Sequence, residues 1–204
     1  KGYWEFIPII IILSLLMAIV TVKNIFTYVI PTPFYKHPFE FTEGFRKMYL
    51  IFPVAYYITY ESIKVGNLNL GLFSVILIYI IIMTFYSLPE NEYFVWSHKL
   101  NSRQFLIKKL KISIYYSLIL AAPIVIVLGI SFHKDIELIL SFFLISITSL
   151  IALILAKYSA YPNKMNISHG VLLFSTLMVP PLLFVIIPHY YLQSLKSLKK
   201  YLHD

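Results

Sequence analysis

The chain has 204 residues, of which 59% are hydrophobic and only 13% charged, with a mean hydropathy of +0.80 and a formal charge of +8. These proportions exclude an ordinary soluble domain and describe a polytopic membrane protein, all-α because a helix satisfies its own backbone groups in hydrocarbon. The lack of cysteine excludes disulfides, thiolate metal sites and thiol catalysis, and the 17 basic residues gather at the ends of apolar runs, which points to membrane lipids and away from nucleic acid.

The chain starts at Lys1 without a methionine, as though a preceding segment were missing, and Tyr3-Trp4 lacks the features of a signal peptide. Phe6 to about Val22, extending as far as Ile30, can cross a hydrocarbon core that needs about 20 residues, with Lys23 snorkelling at its far end. Pro31 to Lys47 gathers three prolines and five formal charges and reads as a surface loop with room for a short interfacial helix. Met48 to Gly66 carries Pro53 and ends in Glu61 and Lys64, and is the weakest of the apolar runs. A turn at Asn67–Leu70 leads into a third run, Gly71 to Ser87.

The stretch from Ser87 to Ser113 is the longest polar interruption, with Lys99, Arg103, Lys108, Lys109 and Lys111. At a bilayer centre each of these cations would cost about 2.5–3.5 kcal/mol, so the stretch is expected in water or at the membrane surface. Beyond it, Ile112 to Ser131 is apolar around Pro123, His133 to Glu137 is a short turn, and Leu138 to about Ala156 is apolar again. Lys157 to His169 reads as a loop, and Val171 to about Pro188, interrupted by Pro180-Pro181, is the last apolar run. The tail, residues 190–204, places Tyr191, Leu195, Leu198 and Leu202 on one helical face and Lys196, Lys199 and Lys200 largely on the other, a basic amphipathic helix.

The expected fold is therefore a single transmembrane domain over residues 1–204, a helix bundle with about six apolar segments. Its orientation follows from the basic residues. With residues 88–111 in the cytosol, eleven of the 17 fall inside and six outside, but the tail then lies on the wrong side. Two repairs are open: the last run is re-entrant at Pro180-Pro181, or Met48 to Gly66 does not cross.

Nucleotide-binding and hydrolase motifs are missing from the sequence. The six histidines, at 37, 98, 133, 169, 189 and 203, have no metal-ligand spacing, so no catalytic residue, metal site or cofactor is expected. Glu61 and Lys64 read as a local ion pair near a span end, and Glu61 is the one candidate for a functional carboxylate at depth. Asn166-Ile167-Ser168 matches a glycosylation acceptor in a loop placed inside, and is read as chance. The many Tyr and Trp near run ends, among them Tyr93, Trp96, Tyr115 and Tyr158, form an aromatic belt.

Within the polar stretch, Pro89 can open a helix, Glu90 and Glu92 suit its positive end, and Tyr93, Trp96 and Leu100 recur at helical spacing. Asn101 followed by Gln104 reads as a capping box that restarts a helix leading into the next span. The result is a cytosolic helical hairpin over residues 88–111 projecting from the membrane.

The run Leu100-Asn101-Ser102-Arg103-Gln104-Phe105-Leu106-Ile107-Lys108-Lys109-Leu110 resembles the cytosolic turn in permease subunits of type-two ATP-binding-cassette exporters. That family carries a Leu-Pro-x-Ser-Arg-x-x-Phe-Leu-like run followed by a lysine, so Asn101 stands where a proline is usual. The resemblance covers about a tenth of the chain and implies that the short preceding helix is a coupling helix. Glu92, Phe94, Trp96 and Lys99 would then form its docking surface for a separate ATP-binding subunit, with Ser102 and Arg103 making the turn. It further implies a homo- or hetero-oligomeric permease in the inner membrane of a bacterium, itself not an enzyme. Two other readings stand beside it. One is a non-catalytic structural subunit of a multi-protein membrane complex. The other is an intramembrane enzyme, which needs at least two ionisable groups converging at depth.

Overall fold

The order of the elements follows from where the sequence supplies helix caps and breakers. The computed structural model describes Thr32, Phe34 and residues 40–202, all in one compact unit. The expected span from Phe6 to Val22, its extension to Ile30 and most of the loop before Glu40 lie outside the described residues.

Helix α1, Glu40–Met48, begins with Glu40 and Glu43 at its positive end and finishes with Arg46 and Lys47 at its negative end. Helix α2, Ile51–Lys64, stops at Gly66, whose φ of +67° is a left-handed conformation that a side chain would disfavour. Asn67 then caps α3, Leu68–Thr84, by accepting from the Leu70 N–H at 3.4 Å. The short helix α4, Glu92–Trp96, is capped by Asn91, not opened at Pro89, which leaves Glu90 upstream of it in extended chain.

Helix α5, Ser102–Ser131, starts on the expected capping box. The Asn101 side chain accepts from the Gln104 N–H at 2.8 Å, and the Gln104 side chain accepts from the Asn101 N–H at 3.4 Å. Asn101→Ala is expected to lower the unfolding free energy by about 1 kcal/mol, read from denaturant titration of the protein in detergent. Ser102 and Arg103 thus belong to the first turn of α5, and the chain reversal lies one step earlier, at Lys99, whose φ of 49° is left-handed. Pro123 sits inside α5, and the Tyr56 hydroxyl of α2 donates to the Leu120 carbonyl at 2.9 Å, beside the ladder that the proline interrupts.

A single 3₁₀ turn, His133–Asp135, joins α5 to α6, Ile136–Ala160. Helix α7, Ile167–Met178, then meets a break at Pro180–Leu182, and α8, Leu183–Leu198, runs back. Helix α3 lies among α2, α5 and α6, and α8 packs along α6. Small and hydroxylated residues line these crossings: Thr59 faces Ser74 at 2.8 Å, and Ser194 donates to the Leu155 carbonyl at 2.7 Å.

The expected number of spans changes. Among the described residues only Ser102–Ser131 and His133–Ala160 are helices long and apolar enough to cross a membrane, not about six; Leu68–Thr84 is apolar but has 17 residues. The run from Met48 holds a helix of 14 residues, because Met48 ends α1, Tyr49-Leu50 is a turn and α2 stops at Lys64, and the run from Val171 is cut by Pro180-Pro181. The tail has the expected two faces, with Leu198 and Leu202 buried and Lys196, Lys199 and Lys200 exposed. It is the end of α8, which lies parallel to α6, because Ser194 bonds Leu155 while Ser197 bonds Ser159. His169 of α7 stacks on Tyr190 of α8, so α7 and α8 form a hairpin that turns at the prolines. The tail therefore lies beside the end of α6.

Candidate functional site

Four charged side chains from four segments meet at that end of the bundle. Glu40 comes from the first turn of α1, Glu90 from the extended chain before α4, Lys109 from the third turn of α5, and Lys157 from the last turn of α6. Their side chains are 12%, 5%, 9% and 3% exposed, respectively. Lys109 Nζ lies 2.8 Å from Glu90 Oε1 and 3.0 Å from Glu40 Oε1. Lys157 Nζ lies 3.4 Å from Glu90 Oε1 and 3.7 Å from Glu40 Oε1. The Tyr158 hydroxyl adds a third donor to Glu90 Oε1 at 2.9 Å.

Aromatic rings complete the surroundings of each ammonium. Phe94 and Phe105 flank Lys109 at 5.3 and 5.7 Å from their centroids, and Tyr86 and Tyr158 flank Lys157 at 5.3 and 5.4 Å. Two buried carboxyl groups and two buried ammonium groups in one contact set avoid the cost that any of them would incur alone.

The two carboxyl groups are driven apart. Burial raises the Glu40 pKa, the hydrogen bond to Glu90 and that group's charge raise it further, and Lys109 and Lys157 only partly oppose this. Burial also acts to raise Glu90, but the hydrogen bond from Glu40 and the charges of Lys109 and Lys157 outweigh it and hold Glu90 well below the usual carboxylate range. A cleft of about 400 Å³ reaches the cluster from the surface; Glu43, Lys47, Ser87 and Asn91 line it together with Glu40 and Lys157.

This arrangement corrects three readings of the sequence. Lys109 is not in water with the other four cations of the polar stretch, because the residue is 7% exposed and turned into the bundle. Lys157 is not in a loop, because α6 continues to Ala160 and buries it at 2% exposure. Glu61 is not the one buried carboxylate: its side chain is 28% exposed and pairs with Lys64 at 3.5 Å, while Glu40 and Glu90 are the buried acids. A signal for Lys109 does exist in the sequence. It lies four residues from both Phe105 and Ser113 on the buried stripe of α5, whereas Lys108 and Lys111 lie off that stripe.

The six residues proposed for docking divide. Glu92, Trp96, Lys99 and Arg103 are exposed, together with Tyr93. Phe94 turns inward against Lys109 and the His98 ring, and Ser102 is buried at 3% exposure. The tail flanks the exposed group: Lys200, Tyr201 and Leu202 share a depression with Glu92, Tyr93 and Trp96, and Lys196 and Lys199 share another with Arg103. Among the described residues no cluster of three His, Asp or Glu side chains could hold a metal ion. No protein-family model, curated protein or solved structure matches this chain.

Proposed function

We propose that this chain is the membrane-embedded permease subunit of an ATP-driven exporter, moved by a separate ATP-binding subunit that docks on residues 88–104. The observation that carries the reading is a mechanical linkage. The α4 helix exposes Glu92, Tyr93 and Trp96, while Glu90, two residues before it, is anchored to Lys109 of α5, Lys157 of α6 and, through those lysines, Glu40 of α1. A partner that displaces α4 would pull on three helices at once, which a passive surface loop would not do.

A bilayer location is supported by the pattern of burial. In the two long apolar helices only 39% of the most apolar window is buried, so large side chains such as Ile126, Ile130 and Leu144 face outward. Ser113, Ser117, Ser146 and Ser149 face inward. A core helix of a water-soluble protein has the reverse arrangement. With two or more copies assembled around a substrate path, the cluster end lies in the cytosol, where Lys99, Arg103, Lys108, Lys111 and the tail lysines obey the positive-inside bias.

The test is co-purification of the membrane-extracted chain with its ATPase. Trp96→Ala combined with Arg103→Ala is expected to abolish retention of an ATP-hydrolysing subunit while the chain stays folded in the membrane. Recovery of dissimilar membrane chains with no ATPase, unaffected by the double substitution, would instead support the structural-subunit reading.

A further inference from the structure

The hydrogen bonds of Glu90 are distributed unevenly. Its Oε1 receives Lys109, Lys157 and Tyr158, whereas its Oε2 is fully buried and has no hydrogen-bond partner. A buried carboxylate oxygen with no donor is among the costlier defects a protein interior can hold. The Glu40 carboxyl stands beside this gap, because Lys109 Nζ joins its Oε1 at 3.0 Å and Glu90 Oε1 at 2.8 Å, and Lys157 Nζ joins the same two oxygens at 3.7 and 3.4 Å. Two ionised carboxylates in that contact would repel each other, but an acid and a carboxylate would bond.

We propose that Glu40 is a neutral acid that donates its proton to Glu90 Oε2, so that this shared proton latches α1 onto the base of α5 and α6. The cluster then holds one carboxylate, one carboxylic acid and two ammonium groups. The groups facing the shared proton are Glu90 and Tyr86 from the chain between α3 and α4, Lys109 from α5, and Lys157 and Tyr158 from α6. On α1 itself, Glu43 and Lys47 stand along the cleft through which the proton can exchange with water.

The direction of the pH response follows. The Glu40 pKa is raised on folding, so its stabilisation is complete below its ordinary value of 4.5 and is lost as the pH climbs through the higher folded value. Raising the pH therefore removes the O–H donor, leaves two carboxylates in contact and loosens α1. The Glu90 pKa is depressed, so its contribution is present above 4.5 and is lost only as the pH falls far below that.

The test uses the full chain in lipid nanodiscs, with Glu40→Gln as the key variant. An amide imitates the neutral acid, donating to Glu90 and accepting from Lys109, but it cannot titrate. The wild-type melting temperature is expected to fall as the pH is raised from 4.5 towards the lysine range near about 10.4, while that of Glu40→Gln stays flat across the same interval. The wild-type infrared difference spectrum is expected to carry a protonated-carboxyl C=O band that disappears over this interval and is missing from the variant. A wild-type spectrum without that band overturns the proposal even if the variant fails to fold. So does a band that survives in Glu40→Gln, or a variant whose melting temperature declines with pH as steeply as the wild type.

Discussion

Glu90→Ala is expected to lower the unfolding free energy by about 3–5 kcal/mol, because it strips the principal counter-charge from two buried ammonium groups. Lys109 loses its 2.8 Å partner, Lys157 loses its nearer carboxylate, and the Tyr158 hydroxyl loses its acceptor. Both lysines are buried, Lys109 at 7% and Lys157 at 2% exposure, so the cost is that of unpaired buried charge and not of a lost surface ion pair. Combining Glu90→Leu with Lys109→Met removes one charge of each sign and leaves Glu40 and Lys157 facing each other at 3.7 Å. That double variant is expected to lose much less than the sum of its two single substitutions. Denaturant titration in detergent measures all of these. A Glu90→Ala cost below about 1 kcal/mol, the size typical of exposed ion pairs, would show that the cluster is open to water.

A second large effect is expected where α2, α3 and α5 cross. Gly71 of α3 has no side chain, and a Cβ built there would stand 2.5 Å from Leu128 Cδ2 and 2.8 Å from Ser62 Oγ. Leu128 is fully buried. Leu128→Ala should cost about 2–5 kcal/mol through the cavity it opens, and Gly71→Ala about 1–3 kcal/mol through overpacking. Because the new methyl group would occupy the space that Leu128 vacates, the double substitution should be less destabilising than the two single changes added together. Strict additivity would mean that α3 and α5 do not approach each other closely at this point.

The same contrast between local chemistry and spatial convergence separates what was legible in the chain from what was not. The Asn101–Gln104 capping box, the helix through Pro123 and the break at Pro180-Pro181 depend on neighbours within a few residues and could be read locally, whereas the turn expected at Asn67–Leu70 lies just before it, at Val65-Gly66. Lengths were read less well. Apolar composition at 48–66 and 171–188 looked like spans, but the turn at Tyr49-Leu50 and the proline pair shorten the helices, and hydropathy does not register where a backbone breaks. The charges of Lys99 and Arg103 were enough to expect them in water, whereas the grouping with Glu92, Phe94, Trp96 and Ser102 came from the resemblance alone, and Phe94 and Ser102 turn inward.

The buried cluster lay beyond local reading because its members are separated by up to 117 positions, from Glu40 to Lys157, and each has an ordinary explanation alone. Glu40 is a good helix-start residue, Lys109 one of several lysines in a basic stretch, and Lys157 a cation at a span end. Charge and hydropathy, summed along the chain, were sufficient to require an all-helical architecture and a polar, cation-rich segment between α3 and α5. They could not tell a solvated lysine from a buried one, since that depends on whether a carboxylate from another helix arrives beside it. Bringing Glu40 and Glu90 to the same two lysines, and folding the basic tail back beside Arg103, were decided by helix packing, because only packing supplies the counter-charge that makes burial of those ions tolerable.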